Sequence, residues 1–428
     1  MIWTTLIVRL GLLALSIPVA AVLGVVGLAL DEVYSFLPLR LGLGEIAWGA
    51  STDVILVAIP MFVLLGEILL RAGIAERMYA AMTHWLSWLP GGLMHSNIGA
   101  CTLFSAVSGS SVATAATIGT VAIEQIDRHR YNPRFFLGTI AAGGTLGILI
   151  PPSINMIIYG VLTDTSIPQL YLAGFVPGLV LAGLFMLTVL VGCAIRPAWG
   201  GRAPAADWPS RWRSLPDLVP PLLIFVLVIG SIYGGFATPT EAAGLGVLAA
   251  LVLVASRRQL TLAMLRHAIE GTMRTSAMIM AILMAAHFLN FVLTAIGLTG
   301  QVGNLIDELG LTPNQTLIAV VVFYVILGMF METLTMMVAT VPIITPVIVA
   351  LGFDPVWFGV LMMLLIETAM ITPPVGINLF VVQGVREHGH LHDVMLGAAP
   401  FVGTLLVMVV LLILIPDIAL WLPALIGR

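Results

Sequence analysis

The chain has 428 residues, 60% of them hydrophobic and 9% charged, with a formal net charge of −4 and a mean hydropathy of +1.11. That composition excludes a soluble globule with a polar surface on every side and places the chain in a lipid bilayer. Every basic side chain is an arginine, and in a bilayer the placement of those arginines says more than the net charge does.

In chain order, the apolar stretch from Leu10 to Leu30 is too long for a secretory h-region and runs into Asp31 and Glu32, so it reads as a retained first span. A second span ends at Arg71, with Glu67 as a structural carboxylate near its cytoplasmic end. "AERMYAAMTHWLSWLP" reads as an interfacial amphipathic helix, with Trp85 and Trp88 at headgroup depth. Segment 92–127 lies between Arg71 and Arg77 on one side and Arg128, Arg130 and Arg134 on the other, so it leaves and returns to the same, cytoplasmic, face. Each of its arms is shorter than the roughly 20 residues that a span requires. A re-entrant hairpin that turns at "SGSSVAT" and opens to the cytoplasm fits that constraint. Next, "ILIPPSINMII" sets two adjacent prolines in an apolar run. Each removes a backbone donor and clashes with the preceding turn, which breaks the helix. Unwound backbone at membrane depth is tolerated only where protein or a water-filled cavity satisfies it.

Residues 196–217 form a cytoplasmic linker carrying Arg196, Arg202, Arg211 and Arg213. In "TPTEAAG", Glu241 follows a Thr-Pro turn and suits a helix start, where a carboxylate favours the dipole. "RRQLTLAMLRHAIEGTMR" reads as a second interfacial helix, and His287 with Asn290 shares a helix face suited to an interhelical hydrogen bond. No arginine lies between Met278 and Val385, so the breaks at "GLTGQVGNLIDELGLTPN" and "LGFDP" are expected on the periplasmic side. Segment 313–353 is then a second hairpin, turning near "METLTMMVAT" and opening to the opposite face. A second double-proline break follows in "MITPPVGINLF". His388, His390 and His392 fall in a solvated turn, and Cys101 and Cys193 lack metal-ligand spacing and read as buried hydrophobes.

The two tips align without gaps, with Phe104 on Phe330, Val112 on Val338, Ala113 on Ala339 and Thr114 on Thr340, and each hairpin is followed at nearly the same distance by its prolines. Because the hairpins open oppositely, the repeat is inverted, which is the sequence signature of an alternating-access transporter. The expected fold is an all-α polytopic membrane protein of elevator type, with two re-entrant helical hairpins and two discontinuous helices. Its first half spans 1–195 and its second 218–428. Carbonyls freed at each break suit a hard cation such as Na+, and the serines at the start of a half-helix suit an anion.

At "GGLMHSNIGACTLFSAVSGSSVATAATIGTVAI", "GTLGILIPPSINMIIYGVLTDTSI", "TPTEAAGLGVL" and "LGFDPVWFGVLMMLLIETAMITPPVGINLFVVQG" the chain resembles the DctM-type large permease of tripartite ATP-independent periplasmic (TRAP) transporters. The resemblance implies a sodium-driven importer of an organic anion in the bacterial cell inner membrane. It also implies a small four-helix membrane subunit of DctQ type and a periplasmic binding protein of DctP type as partners, in contact with membrane lipid and with no nucleic acid. The family's tip and unwound-helix motifs map onto Ser108 to Thr114 with Gly147 to Ser153, and onto Glu332 to Thr340 with Thr372 to Asn378. On that mapping Ser111, Thr114, Ser153, Asn155, Glu332, Thr335 and Asn378 face substrate. Ser108, Ser110, Gly147, Ile150, Pro152, Thr340, Thr372, Pro374 and Gly376 hold the coupling ion. Many relatives carry aspartate at the positions of Thr114 and Glu332; the first change removes a carboxylate and the second lengthens one. Glu367, in the helix before the second break, is a further candidate because intramembrane carboxylates are costly and usually functional. The competing classes are an intramembrane enzyme and an uncoupled channel. The first lacks a nucleophile with a nearby base, and the second has no need of two inverted halves.

Overall fold

The computed structural model describes residues 11–12, 15, 17–202, 207–386 and 388–426. The expected first span therefore begins, at Leu10, outside the described residues, as do positions 203–206 of the linker. Among the described residues the regular structure is helical: α1 (Val19–Tyr34), α2 (Leu43–Thr52), α3 (Ala58–Arg71), α4 (Ile74–Leu86), α5 (Leu93–Ser108), α6 (Ser111–Ala122), α7 (Gln125–His129), α8 (Pro133–Leu149), α9 (Ile154–Thr163) and α10 (Ile167–Ile195). The second part of the chain adds α11 (Trp208–Tyr233), α12 (Pro239–Ser256), α13 (Leu262–Ala295), α14 (Leu298–Glu308), α15 (Pro313–Gly328), α16 (Thr333–Ala350), α17 (Pro355–Met370), α18 (Ile377–Val385), α19 (Leu391–Leu414) and α20 (Asp417–Ile426).

Local chemistry sets many of these boundaries. Asn132, Ser166, Thr238, Thr312 and Asp354 each stand at an N-cap with a proline in the first turn, where the missing proline N–H costs nothing. Glu241 and Gln315 complete capping boxes with Thr238 and Thr312, so Glu241 is the helix cap its Thr-Pro context suggests. The two discontinuous helices break at their prolines. Ile150, which precedes Pro151, is extended at φ −82° and ψ 122°, as a residue before proline must be. Helix α9 then resumes at Ile154, bent by 42° from α8. In the second half α17 ends at Met370, and α18 resumes after Gly376, whose φ of +46° favours glycine. Both Pro-Pro bonds are cis.

Two groups of helices result. Helices α1, α2, α3, α11, α12 and α13 pack on one another and leave much apolar surface outward: Leu222, Leu223, Val226, Leu248 and Val252 are all exposed. The hairpins α5–α6 and α15–α16 pack with the broken helices α8–α9 and α17–α18 into the second, denser group. Every residue of α17 from Val356 onward is buried, as is α8 from Phe135 onward. The packing is crossed in the way an inverted repeat requires. Helix α5 lies on α8 and α15 on α17, while α6 meets α18 and α9 meets α16.

Two local expectations change. "RRQLTLAMLRHAIEGTMR" is no separate surface helix; most of it is the start of α13, 34 residues long. At 1.5 Å per residue α13 extends about 50 Å, beyond the roughly 30 Å hydrocarbon layer, so an amphipathic start and a spanning remainder coexist in one helix. His287 bonds through Nδ1 to the Leu283 carbonyl at 2.8 Å, one turn back in its own helix rather than to a neighbour.

Candidate functional site

The first tip and the first break touch. Helix α5 ends at Ser108, Gly109 turns the chain at φ +61°, and Ser110 caps α6 by accepting the Ala113 N–H at 3.3 Å. A Cβ on Gly109 would stand 2.6 Å from the Pro152 carbonyl oxygen, and one on Gly147 would stand 2.6 Å from the backbone of Ser110 and Ser111. The tip therefore approaches the break as closely as backbone allows, and glycine is required on both surfaces. Ser108 Oγ and Thr114 Oγ1 share a 3.0 Å hydrogen bond, and Ser153 caps α9 by accepting the Met156 N–H at 3.4 Å. From the outer group, α3 places Gly66 against Ser108: its Cβ position is 3.4 Å from the Ser108 carbonyl oxygen.

The second tip meets the second break in the same manner. Val375 N–H donates to the Met329 carbonyl at 3.2 Å, and a Cβ on Gly328 would overlap that of Ala369. Glu332 caps α16, its Oε2 accepting from the Thr335 N–H at 3.1 Å and from Thr335 Oγ1 at 3.2 Å. Thr340 Oγ1 donates to the Met336 carbonyl at 2.7 Å and accepts from Tyr324 at 2.5 Å. Thr372 Oγ1 bonds back to the Thr368 carbonyl at 2.5 Å.

Both breaks present oxygen. Among the described residues no backbone N–H reaches the carbonyls of Ile150, Pro151 or Pro152, nor those of Ile371 to Val375. Such carbonyls are the donor set that a hard cation accepts.

The mapped residues thus fall into two clusters. Ser108, Ser110, Ser111, Thr114, Gly147, Ile150, Pro152 and Ser153 gather at the first. In the second half Glu332 caps α16 at the tip, Thr335 and Thr340 follow it along that helix, and Thr372, Pro374 and Gly376 lie in the break. Asn155 is buried in α9, its Nδ2 without a hydrogen-bond partner. Asn378 crosses between the halves: its Nδ2 donates to the Ala141 carbonyl of α8 at 3.4 Å, beside Gly144 and Ala115. A second crossing joins Ser111 Oγ to Glu367 Oε1 at 2.6 Å. Glu367 is fully buried, its Oε2 has no partner, and it forms no ion pair among the described residues. The individual residues were visible in the sequence, but their pairing was not, since nothing in the spacing brings position 111 to position 367. Sequence reasoning also passed over a buried chain in which Tyr79 donates to Asn97 at 2.9 Å and Asn97 donates to Thr139 at 2.8 Å. It locks α4, α5 and α8 together, and three polar letters on three separate helices leave no local signal.

Paired hairpins and broken helices that pack across one another are the architecture of a secondary transporter built on inverted repeats. Comparison with known proteins gives the particular family. Residues 6–418 match the family described as "Tripartite ATP-independent periplasmic transporter, DctM component". The C4-dicarboxylate TRAP transporter large permease protein DctM of Vibrio cholerae is 33% identical over 391 residues, covering 86% of each chain. The ectoine TRAP transporter large permease protein TeaC of Halomonas elongata is 31% identical over 428 residues, covering 98% of each. The crystal structure of the Alcanivorax borkumensis YdaH transporter superposes with a TM-score of 0.64 at 17% identity, over 90% of this chain and 88% of that one, a likeness of fold. The chain belongs to the DctM family of TRAP transporter permeases, which are transporters and not enzymes.

Proposed function

We propose that this permease imports a carboxylate-bearing organic anion across the bacterial inner membrane, driven by a sodium gradient, with its first hairpin opening to the cytoplasm and its second to the periplasm. The observation that carries the reading is the double contact of tip with break, Gly109 on Pro152 and Met329 on Val375. Each contact sets unpaired carbonyls beside a half-helix N-terminus. Na+ binds the free carbonyls of Ile150 and Pro152, beside Ser110 and Gly147, in the first half and those of Thr372 and Pro374, beside Gly376, in the second. The hydroxyl of Ser108 is shared with Thr114 and joins only by exchanging that bond. The helix N-termini and the Ser111, Ser153, Asn155 and Asn378 side chains favour the anion. Thr340 and Thr335 spend their hydroxyls within α15–α16, so they shape the second tip and leave the ligands to backbone. The relatives' names supply the substrate class, since both C4-dicarboxylates and ectoine carry carboxylate. The partners are a small membrane subunit and a periplasmic binding protein that delivers the anion, as the tripartite family description supports.

The test is uptake into proteoliposomes holding the permease and its small subunit, with the binding protein outside and a carboxylate panel that begins with succinate and ectoine. Accumulation that requires an inward Na+ gradient is the expected result. Equilibration without coupling identifies a channel, and chemical conversion of the probe an enzyme.

A further inference from the structure

A groove of about 540 Å³ runs between α10 and α19 on the outer face of the denser helix group. Leu187, Val191 and Val407 line it and are exposed, and Gly403 faces open space. Its polar lining is spent, because Thr188 and Thr404 share a 2.7 Å hydrogen bond across it. A dry apolar groove of this kind on a membrane protein takes hydrocarbon. One end is different. Trp199 closes it, its ring tilted by 44° against Phe135 at 5.0 Å, and the Arg196 guanidinium lies 4.9 Å above the Trp199 ring. Arg196 is exposed, one turn beyond the lining residue Gly192, and pairs with no carboxylate among the described residues. Backbone bonds from Asn132 to Trp199 and from Arg202 to His129 hold this turn against the arginine-rich loop 128–134. An apolar groove ending at an unpaired cation on an aromatic platform matches a lipid with an anionic headgroup.

We propose that the α10–α19 groove binds an anionic glycerophospholipid, its acyl chain lying along Leu187, Val191 and Val407 and its phosphate at Arg196. The test is native mass spectrometry of the purified full chain after exchange into detergent with phosphatidylglycerol or phosphatidylcholine of identical acyl chains. The wild type retains phosphatidylglycerol by about fivefold over phosphatidylcholine, the contribution of one basic residue near an anionic surface. Arg196→Gln retains both lipids equally. Gly403→Trp, whose new side chain enters open groove, loses both. A wild type without preference, or a preference unchanged in Arg196→Gln, overturns the assignment, as does retention of added palmitate in place of either phospholipid.

Discussion

At the first half-site Ser108, Ser111, Thr114 and Ser153 are at most 4% exposed, whereas at the second Phe330 is 65% exposed and Glu332 and Pro374 reach the surface. Both are made from one hairpin tip and one double-proline break, yet the break is covered more deeply at the first, where Pro152 is buried and the outer group adds Gly66 on Ser108, while at the second Thr333 and Thr335 are buried behind an exposed turn. A symmetric pore would expose both alike. Unequal closure of equivalent parts is what an alternating-access protein has at one end of its cycle, and this supports the transporter reading over the channel.

The comparison breaks hardest at the close contacts. Gly147→Val drives a side chain into the Ser110–Ser111 backbone, and Gly328→Val does so into Ala369. Overpacking of this kind costs about 1–3 kcal/mol, and neither neighbour is a side-chain end that can swing away. Both variants should lose Na+-driven uptake by roughly tenfold to a hundredfold while still reaching the membrane, measured by uptake against expression. If only Gly147→Val fails, the second contact is not a working part of the site. Glu367→Ala comes next, because it leaves the Ser111 hydroxyl buried without an acceptor, at about 1–3 kcal/mol. Uptake should fall roughly tenfold, and Glu367→Gln, which keeps an acceptor, should recover most of it. Glu332→Ala removes an exposed cap worth about 0.5–2 kcal/mol, so a several-fold loss is expected, with a melting temperature only slightly lowered. His287→Ala sharpens the comparison from outside, since its Nδ1 bond stays within α13, and uptake should not change.

The sequence made the breaks plain, because paired prolines in apolar text act locally, and it made the hairpins plain through arm length and arginine placement. The register between the two tips was less legible. A gapless alignment sets Thr114 on Thr340, but the structure caps α6 with Ser110 and α16 with Glu332, one helical turn away. With that register the caps stand as far apart in the chain as Pro151 and Pro373 do. A shift of one turn keeps the same residues on the same helix face, so apolar letters match almost as well in either register and only the cap decides. The crossings from Ser111 to Glu367 and from Asn378 to α8 were invisible for another reason: they depend on how two halves dock, and no local periodicity encodes that.

Electron cryo-microscopy of the permease in sodium chloride and in choline chloride tests the central claim most directly. Two densities within carbonyl-ligand distance are expected, one between Ser110 and the Ile150–Pro152 turn and one beside Thr372–Pro374, both present in sodium and absent in choline. Maps that match in the two salts at both places, with those carbonyls bonded to protein or water throughout, would contradict it.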